Sequence, residues 1–228
     1  LDARERRAAE WALDRTTVFG PRLKEADARA FYETSTVVAR AFETDWQRML
    51  LEPRVRKLVA AWDPEVAQGA QTVDEELAEA ADSLRARFGL LLRVFDYYCA
   101  YGTREGSAAF AIHENAYHRM LRDLGVTRGD ADADDVDLDA PGDDGLYLPL
   151  EAAQQLFTEV NFETDKNSEL SRLNEDRALM RWELLEVILR AAVLRHPAGQ
   201  TDAVSGDDGR RGRVDVSDAI DALLERRV

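Results

Sequence analysis

Asn161, Glu163 and Asp165 alternate along the chain, and Glu183 follows further on. Oxygen-bearing side chains at every second position are how one loop aims several ligands at a hard cation. A calcium loop draws on positions 1, 3 and 5, turns on glycine at 6, and closes with a bidentate glutamate at 12. Phe157 stands four residues before Asn161, while Leu179 and Leu184 take the apolar places around Glu183 that correspond to positions 8 and 13. The two halves match separately. Counted inclusively, 23 positions run from Asn161 to Glu183 where the loop needs about twelve, and Lys166 stands where the glycine belongs. If calcium binds, Asn161, Glu163, Asp165 and Glu183 are its ligands, but the insertion separates them, and the expectation is that no metal is held.

An upstream copy is further from the pattern. Ile112 and Tyr117 fit positions 8 and 13, but position 12 is Ala116, and positions 1, 3 and 5 become Glu105, Ser107 and Ala109. That set is one carboxylate where calcium needs six to eight oxygens. Other chemistry fares no better. His113 and His118 are five residues apart, off the spacing that puts two ligands on one helical face, so zinc is not expected. Glu183 and Glu186 have no Glu-x-x-His partner helices for a two-metal site. Cys99 lies on an apolar stripe, as a core residue would. Phosphate loop, dinucleotide fingerprint and Gly-x-Ser-x-Gly elbow are all missing, and the chain is expected not to be an enzyme.

The elements that must position these residues are helices. Val38, Ala41, Phe42, Trp46, Met49 and Leu50 recur three and four apart, and a shorter helix follows around Val55 to Trp62, stopped by Asp63-Pro64. Thr72 and Glu75 have capping-box spacing and open a long helix that runs to about Ala100, weakened only at Gly89. Further helices are expected over His113 to Leu124, stopped by Gly125, from Pro149 through Val160, from Leu179 to Leu194, and around Val216 to Leu224, capped by Asp215 or Ser217. No alternating run is long enough for a sheet. The fold class is all-α: N-terminal helices on a paired helix-loop-helix unit with long acidic loops. The expected divisions are an N-terminal segment 1–70, the pair 71–196 with its acidic loop 126–148, and a loop plus amphipathic helix over 197–228. Trp46 and Trp62 are expected in the core. Trp182, Phe157 and Tyr117 are candidate partner-binding residues: in an opened pair such aromatics line a groove for a partner helix, and the favoured expectation is that the Ser35 to Leu50 helix or the Ile220 to Leu224 segment fills it instead.

A net charge of −15 excludes nucleic acid as the main partner. Eight aspartates between Asp130 and Asp144 carry more than half of it, in a stretch with Pro141, Gly142 and Gly145 that reads as a solvated loop. With one cysteine, no apolar run of about 18 residues and no leader pattern at Leu1-Asp2-Ala3-Arg4, a cytoplasmic chain without a membrane span is expected. A start at Leu1 is compatible with a piece of a longer protein.

Four phrases carry a resemblance: Val94-Phe95-Asp96-Tyr97-Tyr98-Cys99-Ala100-Tyr101-Gly102, Leu156 to Asn161, Leu179 to Ala192, and Val216 to Leu224. Together they look like a group of EF-hand-like proteins of flagellated algae and other ciliated protists. The resemblance spans about Thr34 to Leu224 and implies a degenerate EF-hand pair in a ciliary or cytoskeletal scaffold, with an axonemal or microtubule-associated protein as partner. The sequence leaves open the oligomeric state and a calcium-responsive sensor as the alternative role, and no residues can be nominated for a helical enzyme.

Overall fold

A computed structural model describes residues 34–102, 110–127, 147–162, 177–195 and 214–227. The described chain is all-α: α1 (Ser35–Leu50), α2 (Pro53–Trp62), α3 (Pro64–Gln68), α4 (Val73–Gly102), α5 (Glu114–Asp123), α6 (Leu150–Val160), α7 (Arg181–Leu194) and α8 (Val216–Arg227), with two-residue strands β1 (Ile112–His113) and β2 (Ala178–Leu179). Two compact units divide at Glu43, with Thr44–Val228 forming the larger. No helix among the described residues is long and apolar enough to cross a membrane.

Local chemistry sets the helix ends. At the start of α4 the Thr72 N–H donates to Glu75 Oε2 at 2.8 Å and the Glu75 N–H to Thr72 Oγ1 at 3.2 Å, the reciprocal pair expected from the spacing. Asp63-Pro64 does more than stop α2. The Asp63 carboxylate accepts from the Glu65 and Val66 N–H groups and so opens a second short helix, α3, which Gly69 ends at φ +74°. Gly125 (φ +62°) closes α5, where the Val126 N–H reaches back to Leu121 O at 2.7 Å. The Leu148 N–H then donates to Val126 O at 2.8 Å, so both ends of the acidic insertion are tied to one point. The eight aspartates themselves lie outside the described residues.

The long helix α4 is the spine of the larger unit. It packs against α2, α5, β1, α7 and α8, and its buried stripe of Leu77, Ala80, Ala81, Leu84, Phe88, Leu91, Phe95 and Cys99 follows the helical period, whereas Leu92, expected on the same stripe, is half-buried. Burial, with Asp96 nearby, pushes the Cys99 thiol up to about 12, which keeps it protonated and apolar in that core. Gly89 has no packing reason to lack a side chain, since a Cβ there would meet nothing within 4 Å. Gly89→Ala is therefore expected to stabilise the protein by about 0.5–1 kcal/mol through helix propensity alone, read as a higher urea midpoint at unchanged m-value.

The two helix-loop-helix halves, α4 to α5 and α6 to α7, meet through β1 and β2. These pair antiparallel, Ile112 opposite Leu179 and His113 opposite Ala178. The two residues that the loop pattern placed at position 8 thus face each other. Beneath them Tyr117 and Phe157 bring their rings to 5.0 Å between centroids.

Candidate functional site

The second loop begins at Asn161, the C-terminal cap of α6, and ends at β2. With its carboxamide oriented to match its neighbours, Asn161 donates to Ala178 O at 3.3 Å and accepts from Ala178 N at 3.2 Å. Its side chain closes the loop onto the strand, joining the two ends by direct hydrogen bonds. Glu183 is similarly engaged: Oε2 accepts from the Met180 N–H at 2.7 Å, satisfying a free donor at the start of α7. Glu163 and Asp165, the other two candidate calcium ligands, lie outside the described residues. So does Lys166. The described residue with the left-handed turn is Arg177, at φ 67°, two residues before Leu179. Counted back from the exit side it is position 6, held in a conformation that costs a non-glycine residue about 1–2 kcal/mol. It also pairs with Glu114 at the start of α5, linking the halves a second time.

A cation does sit at the mouth of this loop, and it belongs to the chain. The Arg54 guanidinium, from the first turn of α2, donates to Val160 O at 2.7 Å and to Phe162 O, taking up carbonyls that the end of α6 leaves free. Its other face forms a fork with Glu186 at 2.7 and 3.0 Å. Glu186, buried in α7, also accepts from Arg190 Nε at 2.8 Å, and Arg190 reaches Glu159 at 3.1 Å. Two arginines and two glutamates alternate along one chain of contacts. Burial opposes the Arg54 charge, but the hydrogen bond and charge of Glu186 outweigh it and raise its pKa.

Of the proposed partner-binding residues, Tyr117 and Phe157 are closed to solvent. The Tyr117 hydroxyl donates to Ala153 O at 2.8 Å, and both rings join the halves from within, which corrects their reading as groove-lining contacts. Their helical spacing could have come from either role. Trp182 is half-buried, with the Arg48 guanidinium over its ring at 5.1 Å, beside a fork from Arg181 to the buried Asp45. Trp46 is in the core as expected, whereas Trp62 is only half-buried. The α4 and α7 face is covered by α8, which buries Val216, Ala219, Ile220, Leu223 and Leu224. The C-terminal segment is thus the filler there.

The start of α8 brings together a group that no motif announced. Asp63, Glu76 and Asp215 offer carboxylate oxygens that all lie within 4.8 Å of one another, the first two fully buried. They meet the free N–H groups of α8: Val216 N donates to Asp63 Oδ2 at 3.2 Å, and Ser217 N to Glu76 Oε1 at 2.8 Å and Asp215 Oδ1 at 3.2 Å. Asp215 was foreseen as a cap; Asp63 and Glu76 act alongside it, 153 and 141 residues from the Val216 and Ser217 N–H groups they accept from. Burial, then the Asp215 carboxylate beside it, pushes the Glu76 carboxyl up to about 9.

No family model, curated protein or solved structure matches this chain.

Proposed function

We propose that this chain is a non-catalytic adaptor, built on a degenerate EF-hand-like pair and holding a protein partner in a cytoskeletal assembly. The observation that carries the reading is the second loop, where Asn161 bonds Ala178, Glu183 caps α7 and Arg54 occupies the loop mouth. Asn161 and Glu183, side chains that an ion would recruit, are spent on the protein's own backbone. The pairing of Ile112 with Leu179 supports the EF-hand-like description, because it brings together the two residues that the loop pattern puts at position 8. Because α8 already covers α4 and α7, the partner meets an outer surface. Tyr97 and Tyr101, exposed and stacked at 6.3 Å between centroids near the end of α4, are the aromatic side chains we assign to it. Placement in a cilium, on an axonemal or microtubule-associated partner, rests on the resemblance of the four sequence phrases. Fractionation tests it, the protein being expected with isolated axonemes, and its absence from them removes the ciliary assignment.

Calcium sensing is the competing role, and it requires Asn161 and Glu183 to leave their present bonds. Calorimetric titration is expected to show no calcium site at this loop tighter than about millimolar, beyond the sensor range. A saturable micromolar site that Glu183→Gln abolishes would overturn the adaptor reading.

A further inference from the structure

Three carboxylates converging at a helix start would usually be caps and nothing more. One atom here is not accounted for by capping. Glu76 is 0% exposed, its Oε1 accepts from the Ser217 N–H, and its Oε2, buried beside the oxygens of Asp63 and Asp215, has no hydrogen-bond partner among the described residues. A buried carboxylate oxygen without a donor costs about 1–3 kcal/mol or more, and such atoms point to an occupant. None of the ion pairs among the described residues brings a lysine or arginine to any of the three acids.

We propose that Asp63, Glu76 and Asp215 form a binding site for a hard divalent cation of the calcium and magnesium class, which fastens the start of α8 to α4 and to the α2–α3 junction. The donors are all oxygen, the set that selects such ions over zinc or copper. The spacing fits. Two oxygens that each ligate calcium at about 2.3–2.6 Å stand at most about 5 Å apart, and these oxygens lie within 4.8 Å of one another. Each carboxylate oxygen that accepts one N–H keeps a second lone pair for the metal. The partial positive charge of the α8 N-terminus offsets only part of the negative charge of Asp63 and Asp215, and an ion that takes the place of the Glu76 proton balances the rest. Water completes the coordination shell, as it does wherever magnesium or calcium is held by a few carboxylates. The site shares no residue with the Asn161 loop, and it stands whether or not that loop binds calcium.

The test uses the whole chain, stripped with a chelator and titrated separately with calcium and with magnesium. Thermal unfolding and amide hydrogen exchange at Val216 and Ser217 are followed together. A saturable rise in Tm with slowed exchange at those two amides is the expected result, and the ion that saturates at lower concentration is the preferred one. Glu76→Gln keeps the shape of the side chain and should weaken the response at least about tenfold, the loss seen even for outer-shell metal partners. Asp215→Asn, at a half-buried position, should do the same and serves if the first variant does not fold. Glu183→Gln should leave the response intact. Three results overturn the site: no response at millimolar cation, binding heat without slowed exchange at 216 and 217, as from the aspartate-rich stretch alone, or a response that survives both variants. A response lost only in Glu183→Gln counts against this site and against the adaptor reading, whereas a response lost only in Glu76→Gln and Asp215→Asn leaves that reading untouched.

Discussion

Replacing Glu186 by alanine is expected to lower the unfolding free energy by about 3–5 kcal/mol, because it takes the shared carboxylate from the buried Arg190 and the half-buried Arg54 at once. Glu186 is 1% exposed and receives three hydrogen bonds, two from Arg54 and one from Arg190, itself 8% exposed. Neither guanidinium can shed its proton to escape, since arginine stays charged in proteins. For a chain of this size each kcal/mol moves Tm by about 2–4 °C, so a fall of about 6–20 °C should accompany the variant. Glu186→Gln keeps acceptor capacity but not the charge, and should fall between the two. Replacing the group together, as Glu186→Leu with Arg190→Leu and Arg54→Met, should recover much of the loss, because an apolar cluster leaves no charge unpaired. Recovery should be incomplete, since Arg54 also bonds Val160 O and Phe162 O. A loss under about 1 kcal/mol for Glu186→Ala would mean that water screens these pairs as it does at a surface.

That network also marks where sequence reasoning stops. Helix periods, the Thr72 and Glu75 box, the Gly125 stop and the apolar positions of Ile112 and Leu179 were legible, because each is a local rule repeated at fixed spacing. Arg54 lies 132 residues from Glu186, and the spacing of neither hints at the other. Ionic contacts of that kind follow from the packing of α2 on the rest, after the apolar stripes have set the fold. Lys166 and Arg177 show a second limit. Counting forward from Asn161 puts the sharp turn at Lys166, which lies outside the described residues, whereas counting back from Leu179 puts it at Arg177, the described non-glycine residue with a left-handed φ. An insertion breaks a register, and only the strand pairing tells which side keeps it. Tyr117 and Phe157 show a third, since helical spacing alone cannot say which face a neighbouring helix will cover.

Glu76 carries the second large effect, on the pH dependence of stability with divalent cations removed by chelator. Its carboxyl has an ordinary value of 4.5 in the unfolded chain and about 9 when buried beside Asp215 and Asp63. Below pH 4.5 both states hold the proton, and the group contributes no slope. Between 4.5 and about 9 the unfolded chain has released its proton while the folded one keeps it, so folding takes up a proton and stability falls as pH rises. Each pH unit in that window removes at most about 1.4 kcal/mol, and a fall on the order of a few kcal/mol from pH 5 to pH 9 is expected. Asp218, raised by burial and by Asp215 and Asp221, adds to the same trend at its lower end. Glu76→Gln removes the titrating group while its amide can still accept from the Ser217 N–H and donate to Asp215. Urea unfolding at pH 5 and pH 8.5 should therefore show the variant close to the parent at the lower pH and more stable at the higher, with a flattened slope between. If the parent is as stable at pH 8.5 as at pH 5, Glu76 ionises freely in the folded state, and the start of α8 is open to water rather than sealed against α4.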